Sequence, residues 1–242
     1  MSYSYIDENY AKIMADINDA SRSSPSGVVP DLLAVIKSAE VDEIAYLVQN
    51  FGIKKVGENR VQQLLSRYDE LTSLGLEIHF IGSLQTNKVK YIIDKVKMIH
   101  SLDRVSLAEE IDKQAKKCGI IMDVLVEINS GREDSKGGVL PENLYEFCQE
   151  ILPLQNINLR GFMTMGPKCE ENSEYLKYFC ETYQLVLDIW QKKLHNIDVP
   201  ILSMGMSDSF VQAIEAGSTM VRVGKNLFIK KTQKYKEGWK KK

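Results

Sequence analysis

From residue 31 onward the chain alternates two hydrophobic periods, and that alternation restricts its fold more than any other feature. Short, nearly continuous apolar runs rich in β-formers fall at residues 32–37, 55–59, 78–83, 98–102, 124–129, 159–165, 201–205 and 220–224. Between them lie stretches with helical spacing. Residues 41–51 set Ile44, Leu47 and Val48 on one face, and residues 105–118 set Leu107, Ile111 and Ala115 opposite Glu and Lys. The longest helical stretch, 175–194, carries Leu176, Phe179, Tyr183, Val186, Leu187 and Trp190 as its apolar stripe. Strands that are apolar throughout suit a parallel sheet covered by helices. Eight of them alternating with helices predict an α/β fold, a (β/α)8 TIM barrel. A helix over residues 5–22 precedes the first strand and is expected to replace the helix missing after strand eight. The loop with Pro25, Gly27 and Pro30 ends it. An open doubly wound sheet is the alternative, but the first strand lacks a GxGxxG turn after it.

One barrel would use nearly all of the 242 residues. The expected division is 1–30 for the N-terminal helix and loop, 31–224 for the barrel and 225–242 for a basic C-terminal segment, all in a single domain. The net charge of −2 offers no general attraction to nucleic acid. No apolar run is long enough to span a membrane, and the polar start does not read as a signal peptide. Cys118, Cys148, Cys169 and Cys180 show no metal or redox spacing and are expected to be reduced thiols in a cytoplasmic protein. Three histidines, none paired at helical spacing, argue against a metal centre.

The segment 203–224, SMGMSDSFVQAIEAGSTMVRVG, joins two glycine turns by one short helix. Gly205-Met206-Ser207 follows the seventh strand, and Gly224-Lys225 follows the eighth. Small-residue turns let backbone N–H groups approach an anion, and in barrels of this kind the last two loops are a frequent phosphate site. We read this segment as a phosphate cup.

The active face of such a barrel is the C-terminal end of its strands. Lys37 closes the first strand there. It either emerges at the rim and is solvated, or it lies in a low-dielectric mouth beside another cation, which releases a nucleophilic amine able to form a Schiff base with an aldehyde. Arg222 faces away from Val221 and Val223 and is either salt-bridged at the rim or turned inward to a ligand acceptor. Asn59 is either an Asx cap for a helix starting at Arg60 or a ligand contact. Ser207 and Asp208 are good N-cap types, a role compatible with holding phosphate. Lys136, in the loop GREDSKGG, belongs to a flexible mouth loop or to an anion-contacting lid. His79 and His100 are strand histidines with a weaker claim to acid–base work.

These residues stand within blocks that resemble a known family. LLAVIK ending at Lys37, GENRVQQ at 57–63, IHFIGSLQTNK at 78–88, IHSLD at 99–103, DSKGG at 134–138, GFMTMGP at 161–167 and LSMGMSDSFVQAIEAGSTMVRVG at 202–224 occur in the order seen in the pyridoxal phosphate homeostasis protein family. The resemblance implies the alanine-racemase-like barrel of fold-type III pyridoxal phosphate (PLP) proteins, with PLP as cofactor. It implies Lys37 as the Schiff-base lysine. Ser207 with the amides of Met206, Gly224 and Lys225 would hold the phosphate, and Arg222 would face the pyridine nitrogen and keep it unprotonated. Asn59, His79 and Ser203 would line the ring. The chain departs from the family at Ile36, where Ser is usual, at Ser38, where Thr is frequent, and in KNLFIKK after Gly224. The expected function is a cytoplasmic PLP-binding protein of PLP homeostasis, without established catalysis. Its expected partners are PLP and apo PLP enzymes, with no nucleic acid and no membrane, and the chain is expected to be a monomer. The alternative is a PLP-dependent amino-acid racemase, which needs a second base opposite the lysine, and no sequence position offers a clear one.

Overall fold

A computed structural model of the chain describes residues 3–133, 136–167, 169, 171–192 and 200–230. Eight parallel strands close into a barrel in sequential order, as the alternation requires. In chain order the elements are α1 (Ser4–Ser21), β1 (Asp31–Val35), α2 (Val41–Phe51), β2 (Lys55–Glu58), α3 (Val61–Ser66), α4 (Tyr68–Ser73), β3 (Glu77–Phe80), α5 (Val89–Ile92) and β4 (Met98–Leu102). They continue as α6 (Val105–Cys118), β5 (Met122–Ile128), α7 (Leu144–Ile151), β6 (Ile157–Thr164), α8 (Asn172–Trp190), β7 (Ile201–Ser203), α9 (Phe210–Glu215), β8 (Met220–Val223) and α10 (Lys225–Phe228). Closure is made by β1 against β8, with Leu33 opposite Arg222 and Ala34 opposite Val223. Among the described residues no helix is long and apolar enough to cross a membrane.

Local chemistry accounts for the helix limits. A reciprocal capping box between Glu40 and Glu43 starts α2, and Gly52 in the left-handed region ends it. Gly119 ends α6 in the same way. α8 buries Phe179, Thr182, Val186, Ile189 and Trp190, a stripe turned slightly from the expected one toward Thr182 and Ile189. Residues 193 and 194, the expected end of this helix, lie outside the described residues.

The strands are shorter at their C-terminal ends than the apolar runs suggest. β1 stops at Val35, two residues before Lys37, and β2 stops at Glu58, before Asn59. β7 and β8 end before Gly205 and Gly224, although Gly205 O still accepts from Arg222 N at 3.1 Å. The residues that close these apolar runs lie at the mouth of the barrel. Two capping expectations also need correction. α3 has Arg60 at its N-cap, so Asn59 caps nothing, and α9 has Ser209 at its N-cap, so Ser207 and Asp208 belong to the preceding turn.

The main core packs the helices on the outside of the sheet. A separate cluster of Met98, Leu125 and Met163, with Ile201 against it, is set by strand alternation on the inner faces of β4–β7. The residue two positions toward the mouth on β4 is His100, and on β5 it is Glu127. The interior therefore changes from apolar to polar along its axis.

Among the described residues α1 packs beside α9 and α10, where a longer last helix would lie. α10 is a single turn, and the amide of Asn9 donates to Leu227 O and Ile229 O, each at 3.0 Å. Asn9→Ala is expected to lower the unfolding free energy by about 1–3 kcal/mol, the range for losing buried hydrogen bonds. Urea unfolding checks this, and an unchanged value would mean that α1 docks without that tie.

Candidate functional site

A cavity of about 500 Å³ opens at the C-terminal end of the strands, and Lys37, Asn59, Met206, Ser207, Arg222, Gly224 and Lys225 all line it. Residues from β1, β2, β7 and β8, far apart in sequence, thus meet at one mouth. His79 and Ser203 are not on its wall.

Lys37 sits in the turn after β1 with its residue exposed to solvent. Its position is set from outside the strand. Gln63 donates to Lys37 O at 2.8 Å. The buried guanidinium of Arg67 donates to Ile36 O at 2.7 Å and to Ala39 O at 3.1 Å, and it pairs with Glu58 on β2. Burial pushes the Glu58 carboxyl up, and Arg67 pulls it back down. The lysine backbone is therefore bracketed by fixed carbonyls while its amine is free to reach the cavity.

The two glycine turns are tied to each other. Asn226 donates its amide N to Ser207 Oγ at 3.4 Å and its side-chain amide to Ser207 O at 2.6 Å. Both glycines are required by space. Gly205 has φ +91°, and a Cβ there would come within 2.5 Å of Ala213 Cβ. A Cβ on Gly224 would come within 2.6 Å of Val35 O, so this turn lies against the end of β1.

Arg222 is turned inward, not salt-bridged at the rim. It is 4% exposed and donates to Ser203 O at 2.6 Å, Ser203 Oγ at 2.8 Å and Thr164 O at 2.9 Å. Burial lowers its pKa to about 10, with Glu127 opposing. A buried row of polar side chains continues behind it. Ser203 Oγ lies 3.3 Å from His100 Nδ1, and His100 Nε2 lies 2.9 Å from His79 Nδ1. Since Arg222 donates to the serine oxygen, the serine proton is left for His100, and His100 Nε2–H for His79. Burial holds His79 down to about 4 and His100 well below the ordinary range, so both rings are neutral near pH 7. His79 and Ser203, expected to line the ring, are not among the residues of the cavity wall. Both point inward, but one layer deeper, and they bear on the cavity through Arg222. Just past the end of β3 it is Ile81, the next inward residue after His79, that reaches the wall.

Sequence reasoning missed two wall features. Glu127 on β5 is 6% exposed and lines the cavity. Burial and Asp103 raise its pKa to about 7 against the pull of Arg222. A lone carboxylate inside an apolar strand was the available signal. The other feature is the state of Asn59, a residue the sequence did single out: its Oδ1 is buried at the wall with no hydrogen-bond partner. Lys136 and Gly137 also reach the wall. The loop carrying them folds back through Asn129, whose side-chain amide donates to Glu133 O at 3.0 Å, and Lys136 Nζ lies 2.8 Å from Glu133 Oε1. Asp134 and Ser135 lie outside the described residues.

Residues 9–231 match the family described as alanine racemase, N-terminal domain. The pyridoxal phosphate homeostasis protein of Aquifex aeolicus is 50% identical over 179 residues, covering 74% of this chain and 78% of that protein. The protein of the same name from Pseudomonas aeruginosa is 34% identical over 228 residues, covering 93% and 95%. Among solved structures, PipY of Synechococcus elongatus with PLP bound superposes with TM-score 0.79 at 28% identity, covering 93% of this chain and all of that one. Alanine racemase of Clostridium difficile shares the fold, with TM-score 0.66 at 21% identity, covering 89% of this chain and 56% of that one.

The neutral histidines carry a pH signature. An imidazole held at about 4 in the folded protein regains its ordinary pKa of 6.5 on unfolding. The unfolded chain then binds a proton that the folded one refuses, so stability is full above pH 6.5 and is lost as pH falls toward 4. For His79 the loss is about 3 kcal/mol. Urea unfolding across that range is expected to show a steeper acid decline in the wild type than in His79→Gln, and identical slopes would remove the histidine from the account.

Proposed function

Since this chain belongs to the pyridoxal phosphate homeostasis protein family, we propose that its mouth cavity holds pyridoxal 5′-phosphate on Lys37 and that the protein serves intracellular PLP homeostasis as a binding protein, not as a catalyst. The observation that carries this reading is that Lys37, the two cross-tied glycine turns and the buried Arg222 open into one cavity.

The residues present fit the cofactor on their own chemistry. Met206, Ser207, Gly224 and Lys225 of the two turns line the cavity, and the close packing of Gly205 on Ala213 and of Gly224 on Val35 holds those turns in place, as a phosphate cradle needs. The unpartnered Asn59 Oδ1 is an acceptor waiting for a ligand donor. The bound cofactor would supply an aldehyde that bonds reversibly to an amine. Lys37 provides that amine from a turn held by Arg67 and Gln63. Ser207 and the backbone around Met206, Gly224 and Lys225 take the phosphate. Arg222, fixed by Ser203 and Thr164, presents a permanent cation to the ring nitrogen, which withholds the proton that would make the ring a strong electron sink. Ser203 and His79 position that arginine. The PLP-bound structure of PipY supports the ligand class.

We further infer that the protein acts in the cytoplasm as a monomer and that apo PLP enzymes receive the cofactor from it. The modest net charge is consistent with a freely diffusing protein.

Mixing the protein with PLP and then borohydride is expected to add one reduced cofactor to Lys37 by mass spectrometry, and Lys37→Ala is expected to show none. Ser207→Ala is expected to raise the dissociation constant about 10- to 150-fold, as for one hydrogen bond to a charged group. Equal retention on dialysis would take Ser207 out of the site. The loaded protein is expected to exchange no α-deuterium in a panel of amino acids, and saturable racemisation would replace this reading with an enzymatic one.

A further inference from the structure

We propose that the mouth cavity binds its phosphorylated ligand together with one proton, and that Glu127 is the group that carries it. This rests on the reading of the cavity as a PLP site and adds a thermodynamic partner to that site.

The geometry comes first. Glu127 projects from the inner face of β5 into the cavity and is 94% removed from solvent, being 6% exposed. Its backbone is fixed, paired in register with Met163 of β6 and accepting from Val139 N at 2.8 Å. Among the described residues no side chain donates a hydrogen bond to its carboxyl group. A buried carboxylate without donors is poorly stabilised, so the group answers strongly to any charge placed beside it.

The charges around it are few. From the end of β4 comes Asp103, itself held by Arg104. From β8 comes Arg222, whose N–H groups are directed at Ser203 and Thr164 and not at Glu127. From the loop after β5 comes Lys136, paired with Glu133. Lys37, Asp208 and Lys225 line the same cavity from β1, the Gly205 turn and the end of β8. β6 presents only Met163 and Met165 on this side. Burial and Asp103 favour the neutral carboxyl, Arg222 favours the anion, and the balance falls at about 7.

A phosphate dianion entering a low-dielectric cavity shifts that balance in one direction. It adds negative charge to the cavity that Glu127 lines and favours the protonated form. Above neutrality one proton therefore passes from solvent to a Glu127 carboxylate oxygen as the ligand binds, with no electron transfer and no leaving group. Linkage is reciprocal, so the ligand is released more readily as pH rises. Asn59 Oδ1 and Glu127, which line the same cavity from the ends of β2 and β5, thus differ in kind. One is a fixed acceptor, and the other becomes a donor only in its protonated form.

The test uses the full chain and 4-deoxypyridoxine 5′-phosphate, which keeps the ring and phosphate but has no aldehyde, so the proton balance of Lys37 chemistry is removed. Calorimetric titration at about pH 8, in two buffers of different ionisation enthalpy, reads proton uptake directly. The wild type is expected to take up more protons than Glu127→Gln. Its dissociation constant is expected to rise with pH more steeply than the variant's, by up to about tenfold per pH unit for one linked proton. Equal proton uptake with parallel pH profiles would overturn the proposal while leaving the PLP reading intact. Should the variant fail to fold, infrared difference spectroscopy of the wild type with labelled glutamate gives an independent answer. Ligand addition is expected to produce a protonated-carboxyl band, and ligand binding without that band would overturn it. If neither this analogue nor PLP binds, the PLP reading itself fails and takes this inference with it.

Discussion

Closure of the barrel by β1 against β8 is the interaction on which the site depends. It joins the first strand to the last and sets Leu33 beside Arg222 and Ala34 beside Val223. Continuing both strands toward the mouth brings the turn of Lys37 next to Gly224, which lies against Val35 with no room for a side chain. An amine near the start of the chain and a pair of glycine turns near its end become neighbours through the pairing of β1 with β8. Each partner is then fixed by its own support, Arg67 and Gln63 for the lysine turn and Asn226 for the pair of glycine turns.

The interior of the barrel is graded. Its lower part is apolar, with Met98, Leu125 and Met163 in contact. Above that lies a fully buried polar row, His79, His100 and Ser203, leading to Arg222. Above that is the cavity. The order follows from the cost of burying polar atoms. A buried guanidinium is tolerable only when its N–H groups find acceptors, and Ser203 and Thr164 supply them. The histidines occupy a place where no charge can be solvated, and they are held neutral there. In the function proposed above this gradient has a use, because a cation held stiffly at the cavity floor would suit retention of a ring nitrogen without activating the ring.

Much of this was legible in the amino-acid order. Eight apolar runs alternating with helical stripes define a closed barrel because strand and helix periods are local properties. Lys37 stood out as a cation ending an apolar run, Arg222 as a cation alternating with valines, and the two glycine turns as places that need bare backbone. Other features were not legible for equally physical reasons. The depth of His79 depends on which layer of the barrel its strand reaches, so a residue on the correct face still falls short of the cavity. Ser207 reads as a helix cap that could also hold phosphate, but α9 starts after Ser209, and Ser207 accepts from Asn226 nineteen residues on. Asn226 itself carried no local signal.

The sequence by itself determined the elements, their order and the identity of the groups capable of the chemistry, because periodicity, turn propensity and side-chain type are written residue by residue. Only the tertiary structure decided which of those groups share a cavity, which lie a layer beneath it, and that Glu127 is buried without a donor beside Arg222. Burial and proximity arise from closing the sheet on itself, and they set the charge state of a carboxyl or an imidazole more than its own identity does.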